Sequence, residues 1–148
     1  MNSKGLSALL VPLAAALIGG CSSDSMSPRD IAGLYGLTQV DAEDLPATTD
    51  STATTVTKVT QGTLSIDPDG RYTMAVLAEE TPVGGGSTNP VLFSEMGILS
   101  FTGDNELRFR ADNGSTWTGI AAFPEIRVAI LFPDASDQAL ELTFRRGA

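Results

Sequence analysis

The chain predicts an all-β domain, an eight-stranded antiparallel up-and-down barrel, behind an N-terminal export segment. Three observations predict it. From Asp30 onward there is no helical period; apolar and polar residues alternate in short runs, the pattern of a strand with one dry and one wet face. The runs are joined by "DPDGR", "TGDNE", "ADNGS" and "AFPEI", whose Gly, Asn, Asp and Pro residues make the tight turns of neighbouring antiparallel strands. Eight such runs in succession hide their edges most economically by closing on themselves, an open sandwich being the alternative.

At the N-terminus, "MNSKG" carries one positive charge at Lys4, and "LSALLVPLAAALIGG" then runs fifteen residues without a charge. A charged start followed by a short apolar run is a signal peptide. Interrupted by Pro12, it is shorter than the roughly 20 apolar residues a membrane span needs. The sole cysteine, Cys21, follows directly and has no partner for an internal disulfide. Ile18-Gly19-Gly20-Cys21 resembles the lipobox of bacterial lipoproteins. That resemblance implies that Cys21 is acylated, that it becomes the first residue of the mature chain, and that the acyl chains bind the protein to a membrane. Ser22 in place of aspartate implies the outer membrane, on its periplasmic side. Each buried methylene contributes about 0.8 kcal/mol, so two or more chains anchor stably where one holds marginally. An ordinary secretory peptide leaving a free thiol is the alternative.

Three segments follow: residues 1–20 as signal peptide, 21–29 as lipidated cysteine and tether, and 30–148 as the barrel domain. "SSDSMSP", Ser22 to Pro28, reads as a polar tether able to lift the domain by roughly 20 Å at about 3.3 Å per residue. Removing Lys4 from the nine basic residues leaves eight against eighteen acidic ones, a mature charge of −10. Such a chain is repelled by nucleic acid and by anionic lipid.

The strands fall at about 33–41, 54–67, 71–79, 91–102, 106–112, 115–122, 125–132 and 139–146. The clearest are "ELRFRAD", with Leu107 and Phe109 opposite Arg108 and Arg110, and "ALELTFRR", with Leu140, Leu142 and Phe144 opposite Glu141 and Thr143. The same alternation turns Val56, Leu64 and Ile66 inward. An eight-stranded barrel is just wide enough to be filled by its own side chains or to hold one small ligand. A packed core is one use of this interior. A cavity would use the aromatic and Met subset instead: Tyr72, Met74, Phe101, Phe109, Trp117 and Phe144.

"DIAGLYGLTQVDAEDLP" resembles the opening strand of small bacterial lipocalin-like domains, "TLSIDPDGRYTM" their next hairpin and "LELTFRR" their closing strand. The resemblance implies a barrel whose floor is closed by a first-strand aromatic, here Tyr35, under a last-strand cation, Arg145 or Arg146. It also implies a carrier of small apolar molecules.

Hairpin connections in a meander alternate between the two barrel ends, so "DAEDLPATTDSTA" and "EETPVGGGSTNP" share one mouth, and the tether enters at the other end. That mouth collects Asp41, Glu43, Asp44, Asp50, Glu79, Glu80, Asp112, Asp134 and Asp137. An acidic rim discourages anions and favours neutral or cationic ligands or a loosely held calcium ion; charge kept for solubility is the plainer reading. The expected function is therefore capture of a small apolar or cationic ligand at the distal mouth. The alternative is a protein-interaction module with a filled core, an envelope assembly factor or a barrel-type protease inhibitor.

No enzyme chemistry is expected, and no metal site or cofactor. The chain has no histidine, which removes the commonest general base and zinc ligand. Lys58, the one lysine of the mature chain, has no serine three positions before it. Glu79 and Glu80 point to opposite faces of a strand, "VGGGST" lacks the lysine of a phosphate loop, and "DPDG" lacks the later ligands of a calcium loop.

Overall fold

The strands of the computed structural model form one antiparallel sheet that closes on itself. The structure describes residues 26–131 and 139–147; residues 1–20, which the sequence reads as a signal peptide, and Cys21, Asp134 and Asp137 lie outside the described residues. In chain order the elements are helix α1 (Pro28–Ile31) and strands β1 (Gly33–Val40), β2 (Glu43–Asp44), β3 (Ala47–Ser51), β4 (Thr55–Ile66), β5 (Arg71–Pro82), β6 (Asn89–Phe101), β7 (Glu106–Ala111), β8 (Thr116–Ala122), β9 (Glu125–Ile130) and β10 (Leu140–Arg146). From β4 through β10 each long strand pairs with the next, β10 pairs with β1, and β1 closes the ring on β4 through Gly33↔Ile66 to Gly36↔Thr63. This is the eight-stranded up-and-down barrel that the alternation predicts.

Alternation becomes burial with few exceptions. In β7, Leu107, Phe109 and Ala111 are buried while Glu106, Arg108 and Arg110 are exposed. In β5, Tyr72, Met74, Val76 and Ala78 form the dry face. Each fully buried Leu, Ile or Phe contributes about 1.5–3 kcal/mol.

Four features differ from the sequence reading. The segment 41–53 is not an open loop: Asp41 (φ 49°) and Ala42 (φ 66°) make a two-residue left-handed turn into β2, and the Thr-rich β3 lies along β4. Strands β5 and β6 run on to Pro82 and from Asn89, leaving 83–88 as their connection.

Third, the β4–β5 register slips at Thr60, between Val59↔Ala78 and Gln61↔Leu77. An extra residue in one strand reverses its sidedness. Above the slip Thr57 and Glu80 follow buried Val59 and Ala78 inward, and Val56, opposite exposed Thr81, faces out rather than into the interior.

Fourth, the tether ends sooner than expected. Met26 packs against the core, and the single turn of α1 starts at Ser27, whose backbone N–H and hydroxyl both donate to Asp30 Oδ2 at 2.8 and 2.7 Å. Those bonds hold the Asp30 carboxyl below its usual range. The helix presses Ile31, 1 % exposed, into the barrel floor. Buried Tyr35 donates its hydroxyl to the Ile31 carbonyl at 2.6 Å. The Arg146 guanidinium closes the floor from outside, 6.0 Å from the Tyr35 ring centre and 5.7 Å from that of Phe123. Arg145 is the wrong one of the two arginines for this place: next to inward Phe144, it is exposed on the outer face opposite Gly36.

Candidate functional site

With the floor sealed, the opposite end holds the site. Along β6 the inward positions are Val91, Phe93, Glu95, Gly97 and Leu99, so an acid stands where alternation demands an apolar residue. Glu95 is 6 % exposed. Its Oε1 accepts two hydrogen bonds, from the Tyr72 hydroxyl at 2.7 Å and from the Trp117 indole N–H at 2.7 Å. A carboxylate oxygen away from bulk water needs such donors, and Tyr and Trp supply them from apolar bodies that also pack.

Close packing holds the donors in place. Tyr72 meets Phe109 edge-on, with ring centres 5.1 Å apart at 88°. Phe109 has room because the wall behind it is Gly119: a Cβ there would stand 3.0 Å from Phe109 Cε2 and 2.5 Å from the Arg127 carbonyl oxygen. Gly97, directly across from Tyr72, lets β6 and β7 approach so closely that a Cβ would strike the Arg110 carbonyl. Burial first, then the hydrogen bond to Glu95 and the charges of Glu95 and Asp112, push the Tyr72 phenol far above its ordinary range. The phenol therefore stays a donor.

The six interior candidates do not form one cluster. Tyr72, Phe109 and Trp117 gather around Glu95, and Met74 lies opposite Glu95 on β5. Phe144 is buried between Leu37 of β1 and Ile126 of β9. Phe101 ends β6 at the floor, half-buried beside Leu107.

The acidic rim divides in the same way. Asp41 Oδ1 accepts from the Glu141 N–H at 2.7 Å and ties the β1–β2 turn to β10, whereas Asp44 Oδ1 accepts from Gln39 Nε2 at 2.9 Å within the hairpin itself. Glu43 is exposed on β2, and Glu79 stands on the outer face opposite Lys58. Glu80 alone of the five points toward the mouth interior, paired with Asn89. Among the described residues no three acidic side chains converge to hold a metal ion.

Glu95 is the residue that the sequence reading missed. Its signal lay in "VLFSEMGIL", where one acid shares the parity of Val91, Phe93 and Leu99. Comparison of the chain with protein-family models, with curated proteins and with solved structures gives no match.

Proposed function

We propose that this chain is a lipid-anchored envelope lipoprotein, acylated at Cys21 and held at the outer membrane facing the periplasm. Its lipocalin-like barrel captures a small apolar or cationic molecule at the mouth away from the bilayer. One observation carries the binding reading: the barrel is sealed at one end and less tightly covered at the other. Its floor is packed shut by Ile31 and Tyr35, while inward-facing Val91, Phe93 and Trp117 near the open end stay half-buried. Half-covered aromatic and aliphatic walls with one fixed polar group at their base are what a small-molecule site offers. Pro28 lies against Gly70 of the β4–β5 turn at the closed end, so a tether from Cys21 would leave the mouth facing away from the bilayer.

Mass spectrometry of protein purified under native conditions tests this reading. A co-purifying small molecule, or saturable quenching of Trp117 by an added apolar amine, is the expected result. A protein that carries nothing and leaves Trp117 unchanged in every titration rejects it.

A second reading, a protein-interaction module, has its own observation. Leu92, Met96 and Ile98 project from the outer face of β6 at 67, 55 and 44 % exposure, an apolar stripe on a single strand. Replacing all three by Ser while retaining ligand capture, and losing no partner, removes that reading.

A further inference from the structure

We propose that Glu95 is the counter-charge for a protonated primary amine, so that the ligand of the mouth is a small molecule with an ammonium head and an apolar body. This inference rests on reading the barrel as a small-molecule carrier and names the class of its cargo.

Both hydrogen bonds that Glu95 accepts fall on Oε1. Among the described residues no donor bonds to Oε2, and the ion pairs, Arg71–Asp69 and Arg127–Glu125, do not involve it. Oε2 is nonetheless not sealed. No buried side-chain oxygen among the described residues lacks a partner, so this one retains contact with solvent. The result is an acid residue 94 % buried, clamped through Oε1, with no donor on Oε2 among the described residues.

Such an arrangement is costly for a wall that only has to be filled. Burying an acid without a cation is unfavourable, and the same strand fills its other inward positions with Val91, Phe93 and Leu99. A primary ammonium fits what is left over. It carries three N–H donors, one for Oε2, and the Trp117 ring beside Glu95 can flank the cation and its apolar body. A quaternary ammonium has no N–H to give to Oε2, and an anion would meet both Glu95 and Asp112, whose charge already reaches Tyr72.

The test uses three probes of one shape, benzylammonium, benzyl alcohol and benzoate. They are titrated into the mature protein as purified from membranes in detergent and followed by calorimetry and by the emission of Trp117, the sole tryptophan. Benzylammonium should bind tighter than benzyl alcohol by roughly tenfold or more, the worth of one charge-assisted hydrogen bond, with benzoate weakest. Glu95→Gln keeps an acceptor for Tyr72 and Trp117, and should abolish the preference while benzyl alcohol still binds. Equal binding of alcohol and amine by the unmodified protein overturns the assignment of Glu95 and leaves the carrier reading standing. No saturable binding by any of the three overturns both. The comparison within the unmodified protein does not depend on the variant folding.

Discussion

Arg146 lies directly across the β1–β10 seam from Tyr35, its guanidinium 6.0 Å from the ring centre, and its Nη2 donates to the Ala32 carbonyl at 2.6 Å. One side chain thus holds the last strand, the first strand and the end of α1 together. Arg146→Ala should lower stability by about 1–2 kcal/mol, the sum of a modest cation–π contact and one charge-assisted hydrogen bond. Arg145→Ala, on the outer face, should stay within about 0.5 kcal/mol. Urea unfolding of both variants checks the contrast, and equal losses would refute it.

Tyr72 makes stability depend on alkaline pH. Its folded-state phenol is raised, chiefly by burial and then by Glu95. Above about pH 10 the unfolded chain releases a proton that the folded chain retains. The stabilisation is therefore complete below that pH and lost as pH rises beyond it. Tyr72→Phe should cost about 1–3 kcal/mol near neutral pH, because Glu95 loses a donor, and should flatten the alkaline decline. Tyr35, also raised by burial against the opposing pull of Arg146, leaves a residual slope. Urea midpoints measured from neutral to strongly alkaline pH decide it.

Gly119→Ala should destabilise by about 1–3 kcal/mol, since the added methyl meets the Arg127 carbonyl and the Phe109 ring. Gly97→Ala should be worse, because its methyl would fall closer still to backbone, against the Arg110 carbonyl and the Ala111 Cα together. Near-UV circular dichroism should show the Trp117 signal altered in both variants. A thermal midpoint unchanged in Gly97→Ala would contradict the close β6–β7 approach.

Cys21→Ser should abolish incorporation of labelled palmitate and move the protein from the membrane fraction to the soluble one. The urea midpoint of the barrel should not change. Retention of the Ser variant in the membrane fraction would show that something other than acyl chains holds it there.

The strands were legible because a two-residue period is written directly in apolar and polar letters, as in "ELRFRA" and "LELTF". Closure was legible because an eight-strand meander otherwise leaves two raw edges. The sidedness above Thr60 was not. In "KVTQGT" no letter marks which residue is the extra one, and the bulge turns Val56 outward and Thr57 inward. The choice between Arg145 and Arg146 failed for a related reason, since alternation says little at a strand end where the chain is leaving the sheet. Glu95 was readable in principle, as an acid at a dry parity, but its donors Tyr72 and Trp117 lie more than twenty positions away on two other strands.

The seam between β1 and β10 joins groups 114 positions apart, from Ala32 to Arg146. A ring of this kind has no half-built form: until the final strand arrives, β1 and β9 each present a raw edge to whatever is nearby. A protein released before its closing strand would be not a shorter barrel but an open ribbon prone to self-association. For a chain of this topology, this sets the moment at which folding must be shielded from its neighbours.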